Sequence, residues 1–130
     1  MQRDADRLTA AAVRVEADLR RTTGRPWTCS VEDFALTVTD GVLTRRVELE
    51  HEVEEAFVAP PVEPRDLEAD LDADADEVVA YEVSEALTDL GLHWPVCPEH
   101  RQVMGSCTGW WYCSGETYHD VAEIGSLQAG

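Results

Sequence analysis

The chain has no Lys and no Asn, so all ten of its basic residues are Arg. Binding to nucleic acid by counterion release needs clustered cations, and no such cluster exists along the sequence. The same shortage argues against docking on an anionic membrane surface. No run of 18 apolar residues occurs, which leaves no candidate for a membrane-spanning helix. The opening Met1-Gln2-Arg3-Asp4-Ala5-Asp6-Arg7 lacks the apolar stretch of a secretory leader, so a cytoplasmic location is expected. There are no internal repeats. The exclusive use of Arg beside abundant Ala and Val fits the codon bias of a high-GC genome, and need not reflect bidentate recognition.

What the chain has in excess is acid. Its 130 residues carry a net charge of -17, and residues 48–77 hold thirteen Asp and Glu against Arg65 alone. Such a segment keeps a small protein soluble, and it is compatible with a basic partner surface or a cation. Asp70, Asp72, Asp74 and Asp76 do not meet the needs of a calcium loop. Counted from Asp70, position six is Ala75 and position twelve is Tyr81; counted from Asp72 they are Glu77 and Val83. These four Asp are therefore expected to be replaceable by Asn together with little effect on the fold.

Hydrophobic patterning predicts an α+β fold, a small antiparallel sheet packed by two helices. Leu8, Ala12, Val15 and Leu19 line one face of a helix over residues 5–22, with Asp4 or Asp6 as its cap and Gly24 as its end. Residues 27–50 alternate as strands. Asp40-Gly41 is a type I′ hairpin signal, and Arg45 on the inward side of the return strand suggests a bulge or a frayed start. Residues 50–58 fit either an edge strand or a helical turn, and Pro60, Pro61 and Pro64 form an extended linker. A helix is predicted over 66–90, with Asp76 able to cap a shorter second helix and Gly91 ending it. We expect residues 1–91 to form the α+β core and residues 92–130 a C-terminal unit, together one compact domain.

The C-terminal stretch changes character. It holds Trp94, Trp110 and Trp111, three of four Cys, three of four His and most of the Gly. A reducing compartment favours metal ligation over disulfides. Cys97-Pro98-Glu99-His100 is a C-x-x-H pair and Cys113 to His119 a C-x5-H pair. Zinc takes four tetrahedral ligands from thiolate and imidazole, commonly as two short-spaced pairs. The expected ligands are Cys97, His100, Cys113 and His119, on a knuckle and a hairpin that together make a zinc-ribbon-like unit. Cys107 is an alternative that could replace His119 or His100, and His93 a weaker one. The hairpin is led in by Trp110-Trp111-Tyr112 and out by Val121-Ala122-Glu123-Ile124, and at least one of the three aromatic residues must be core.

The tail Trp94-Pro95-Val96-Cys97-Pro98-Glu99-His100, with Trp111-Tyr112-Cys113, His119-Asp120-Val121-Ala122 and Ile124-Gly125-Ser126-Leu127, resembles the zinc-knuckle ending of small uncharacterised acidic proteins from high-GC bacteria. The resemblance covers the last quarter to third of the chain. It implies the same four ligands and no particular activity. Cys107 and the acidic middle depart from it.

Other chemistry is weaker. Gly105-Ser106-Cys107-Thr108-Gly109 has the outline of a nucleophile elbow, but an aromatic strand follows where a helix is needed, so it is expected to be a loop. A hydrolytic zinc would need three protein ligands and an open position, with Glu116 or Glu99 as base. His51, between Glu50 and Glu52, is expected at the surface. The sequence thus favours a non-enzymatic, zinc-stabilised interaction module or accessory subunit with an unknown protein partner. An acidic DNA-mimic decoy that occupies a basic protein surface stands second, and a zinc-dependent hydrolase third.

Overall fold

The structure, a computed structural model, describes residues 2–49, 64–107, 109–115 and 118–128. It is α+β, with two helices and two three-stranded antiparallel sheets. Helix α1 spans Gln2–Thr23. It buries Leu8, Ala11, Ala12, Val15 and Leu19, the stripe that the spacing predicts. Gly24 ends it with φ of 68° while donating its N–H to the Arg20 carbonyl. The helix begins before both Asp4 and Asp6, so neither is its cap.

The first sheet is a meander of β1 (Thr28–Glu32), β2 (Ala35–Thr39) and β3 (Thr44–Glu48). The chain reverses between β1 and β2 at Asp33 and Phe34, both left-handed with φ of 52° and 59°. That is the two-residue turn expected at Asp40-Gly41. At Asp40 the loop is wider. The Asp40 carboxylate accepts the N–H groups of Val42 and Leu43 at 2.9 and 2.8 Å. Those backbone donors, with the Arg25 guanidinium paired to it, hold the carboxyl below its usual range. The side chain thus does the work that a second positive-φ residue does in a type I′ turn. β3 pairs with β2 without a bulge, from Thr39 opposite Thr44 to Ala35 opposite Glu48. It is an edge strand, and Arg45 turns outward to meet Asp89 at 3.1 Å, so no bulge is needed to remove it from the core.

Helix α2 runs unbroken over Pro64–Asp89, with proline at its first position, where no amide is needed. Gly91, with φ of 86°, closes it: its N–H reaches the Thr88 carbonyl and the Leu92 N–H reaches Leu87. Ala75, Val79, Ala80, Val83, Ala86 and Leu87 are buried against α1 and the strands. Asp76 caps nothing. It lies within the helix, buried, and accepts Nε and Nη2 of Arg14 on α1 at 2.8 and 2.5 Å. Burial raises its carboxyl, and Arg14 opposes that shift. Asp72 takes the Nε of Arg7 at 3.2 Å. The run of aspartates is therefore not uniformly a solvated face, and exchanging all four for Asn removes a buried counter-charge of Arg14. Polarity alone hid this, because Asp76 shares a helix face with Val79, Ala80 and Val83.

The second sheet is β4 (Gly105–Cys107), β5 (Trp110–Ser114) and β6 (Tyr118–Glu123), in that order, with an irregularity between Trp111 and Tyr112. β4 falls where the glycine-rich loop was expected. Gly105 lies opposite Tyr112, and a Cβ there would sit 2.7 Å from the tyrosine ring. Glycine is what lets this strand pass under the aromatic side chain, although its propensity argues against a strand.

One apolar cluster joins the helices, the first sheet and the C-terminal run; from the latter come Trp94, Cys97, Met104, Trp111, Cys113, Ile124 and Leu127. Trp94 and Trp111 meet edge-on, with centroids 5.1 Å apart. At the centre is Asp18 of α1, fully buried. It accepts the Trp111 indole N–H at 2.8 Å and the backbone N–H groups of Gly125 and Leu127 at 2.7 and 2.9 Å. Arg21 completes the arrangement, reaching Asp18 at 3.2 Å and the Leu127 carbonyl at 2.6 Å. The ambiguous 50–58 stretch, including His51, and the prolines at 60 and 61 lie outside the described residues. No helix of the described residues is long and apolar enough to cross a membrane.

Candidate metal centre

Two local structures bring the four candidate ligands together. The first is a reverse turn after Pro95. The Cys97 N–H donates to Gln102, the Arg101 N–H to Cys97 and the Met104 N–H to Pro95, at 2.7 to 2.9 Å. Val96 and Val103 form a bridge across it, and Arg101 adopts φ of 58° to close it. The backbone N–H groups of Glu99 and His100 point back at the Cys97 sulfur. The second is the β5–β6 hairpin. Cys113 and His119 are direct cross-strand partners, so their side chains leave the same face of the sheet. That pairing is the physical reason for the five-residue spacing.

The four side chains converge. One ligand atom from each of Cys97, His100, Cys113 and His119 lies within 4.8 Å of every other. The Cys97 sulfur is 3.7 Å from His100 Nδ1 and 3.8 Å from His119 Nε2, and the Cys113 sulfur is 3.4 Å from His100 Nδ1. Zinc bonds of about 2.3 Å to sulfur and about 2.0–2.1 Å to nitrogen make tetrahedron edges of roughly 3.5–3.8 Å. These three sulfur–nitrogen edges are of that size. Both cysteines are buried and both histidines half-buried, which shields the site while leaving imidazole edges near solvent.

The electrostatics suit a cation. Burial raises the Cys97 thiol, but the N–H groups of His100 and Glu99 outweigh it and bring the thiol down to about 6. Burial holds the Cys113 thiol up, and the neighbouring Cys97 sulfur holds it higher still. Two buried thiolates side by side repel, and a divalent ion between them removes that repulsion. Gly115 is part of the same arrangement. A Cβ there would lie 2.7 Å from the His100 ring, so only glycine lets that imidazole reach the sulfurs. The C-x5-H spacing alone gives Gly115 no special place.

Cys107 is not in the cluster. It is exposed on β4 opposite Trp110. His93 is exposed and also outside it. Glu99, one of the two bases considered for a hydrolytic site, is exposed and not a member; Glu116 lies outside the described residues. Cys29 is buried in the first sheet, where desolvation, then the Glu16 carboxylate, push its thiol up to about 12. No disulfide is present among the four cysteines.

These environments predict a labelling order. With metal bound, iodoacetamide should modify Cys107 alone at neutral pH, because it is the one exposed cysteine. Chelator should then open Cys97 and Cys113, and Cys29 should react only on unfolding. Peptide mapping of the alkylated sites checks the order, and early labelling of Cys113 with metal present contradicts it.

Comparison with protein-family models, with curated proteins and with solved structures finds no match. What identifies the site is therefore its own geometry. Cys97, His100, Cys113 and His119 form a cluster able to hold a metal ion.

Proposed function

We propose that the chain is a non-enzymatic interaction protein stabilised by one zinc ion. Cys97, His100, Cys113 and His119 bind that ion within a zinc-ribbon-like C-terminal unit. The observation that carries this reading is the convergence of two sulfurs and two imidazole nitrogens within 4.8 Å, with three sulfur–nitrogen edges of 3.4 to 3.8 Å, the size a tetrahedral zinc requires. The donor set itself favours zinc over harder cations, which prefer carboxylate and carbonyl oxygen. Four protein ligands leave no position for a reacting water, and this separates a structural role from a hydrolytic one. A cytoplasmic, reducing setting keeps the thiols available as ligands. The net charge of -17 favours a partner with a basic surface.

Metal analysis tests the reading. Protein purified without chelator should carry about one equivalent of zinc, and chelator should lower its melting temperature, since metal binding energy becomes folding energy. Metal-free protein that melts at the same temperature with and without chelator overturns it.

A further inference from the structure

A groove of about 620 Å³ opens between the two helices and the β5–β6 hairpin, on the opposite side of the hairpin's register from any metal ligand. Its wall carries Trp110 and Glu123, which are direct cross-strand partners. They therefore stand side by side on one sheet face. Trp110 is 42% exposed, whereas Trp27, Trp94 and Trp111 are all buried. Glu123 is exposed, and its carboxylate makes no hydrogen bond or ion pair among the described residues. Asp72 and Asp76 line the opposite wall. Arg14 is the cation in the groove, and its Nε and Nη2 are already engaged by Asp76. The floor is tight: Gly109 lies so close to α2 that a Cβ would come within 3.3 Å of Ala73. An accessible indole beside an exposed carboxylate is thus displayed by packed elements, not by a loop.

We infer that this groove receives an arginine side chain from a basic segment of a protein partner. The indole face of Trp110 takes the guanidinium plane, and the Glu123 carboxylate accepts its N–H fork. Guanidinium suits the pair better than ammonium, because it is planar, weakly hydrated, and able to stack and to hydrogen-bond in its plane at once. Arg14 against Asp76 shows the same guanidinium–carboxylate pairing a short way along the groove. The net charge of -17 attracts any cation, and here that charge stands beside the one exposed indole among the described residues. The inference rests on the interaction-module reading and names the chemistry of the partner.

The full chain, with zinc content and melting temperature measured for every variant, is titrated with a capped peptide of three glycine-spaced arginines and with its lysine counterpart, at physiological salt. Wild type should bind the arginine peptide more tightly than the lysine one. Trp110→Ala changes no charge and should weaken arginine-peptide binding about fivefold or more. Glu123→Gln should weaken it as well, while Glu32→Gln, an exposed acid on β1, should not. Equal affinity of Trp110→Ala and wild type overturns the inference, as does an equal loss in Glu32→Gln and Glu123→Gln, since both mean diffuse charge attraction. Equal binding of the two peptides overturns the guanidinium assignment. Should Trp110→Ala not fold, the isosteric Glu123→Gln against Glu32→Gln decides alone. Protein that lacks zinc yet binds through Trp110 keeps the groove and removes the zinc reading. Zinc-loaded protein without Trp110-dependent binding does the reverse.

Discussion

Replacing Cys113 by Ser is expected to abolish zinc retention, whereas Cys107→Ser retains it. Cys113 is buried, faces His119 across the hairpin, and its sulfur is 3.4 Å from His100 Nδ1. Cys107 is exposed and outside the cluster. Loss of a residue that only orients a ligand commonly costs 10- to 100-fold in metal affinity, so loss of a ligand itself should exceed about 100-fold, or roughly 3 kcal/mol. The effect should spread. Cys97, Cys113 and Trp111 belong to the same buried cluster as α1 and α2, so metal release removes support from the helices as well. Helical ellipticity of Cys113→Ser should therefore melt about 10 °C below wild type, on the scale of a few degrees per kcal/mol for a chain of this size. Cys107→Ser should melt with wild type. Zinc retained in Cys113→Ser and lost in Cys107→Ser would mean that the other thiol completes the site.

The site was more legible in the sequence than the fold around it. Short spacings report directly on local geometry. A C-x-x-H turn and a five-residue hairpin interval each place two candidate ligands, and the structure brings both pairs together. The helices were legible for a similar reason, since Leu8, Ala12, Val15 and Leu19 repeat at the helical period and all are buried. Tertiary context decided the features that were misread. Gly105–Cys107 has poor strand propensity, yet pairs with β5 because Tyr112 needs a residue without a side chain beneath it. Asp40-Gly41 has the composition of a two-residue turn, but the Asp40 carboxylate binds two backbone N–H groups and widens it. Asp76 reads as solvated acid until Arg14 of α1 is placed beside it. For Gly105 and Asp76 the deciding partner lies on another element, and a propensity or a motif carries no record of it; at Asp40 the partners are local, and a side chain replaces the backbone conformation that the motif implies.

Asp18 is the extreme case, and its removal should be the most damaging single change in the chain outside the metal ligands. It lies three residues after Val15 and one before Leu19, on the apolar stripe of α1, which is the one sequence signal that it is buried. Its two oxygens take the Trp111 indole, the Gly125 and Leu127 amides and an Arg21 nitrogen, at 2.7 to 3.2 Å. No other described acid is as fully enclosed. Asp18→Ala leaves those donors without an acceptor in a site closed to water and leaves the Arg21 charge without its counter-ion. Removing one partner of a buried charged pair costs about 3–5 kcal/mol, against a total stability of about 5–15 kcal/mol for a domain. Asp18→Asn keeps the shape but turns an N–H₂ toward amides that are themselves donors, so it should recover only part of the loss. Trp111→Phe removes one donor and keeps the ring in the core, and should cost less than either. Urea midpoints for the three variants should therefore rank Trp111→Phe above Asp18→Asn above Asp18→Ala. An Asp18→Ala midpoint within error of wild type would show that the C-terminal run does not hang on this carboxylate. The same variants also separate the two supports of that run. Zinc bound as proposed would fix the knuckle to the hairpin, while Asp18 fixes the hairpin and the chain after it to α1. Asp18→Ala should thus keep its zinc in the folded protein while losing stability, the opposite of a ligand variant, in which zinc loss comes first.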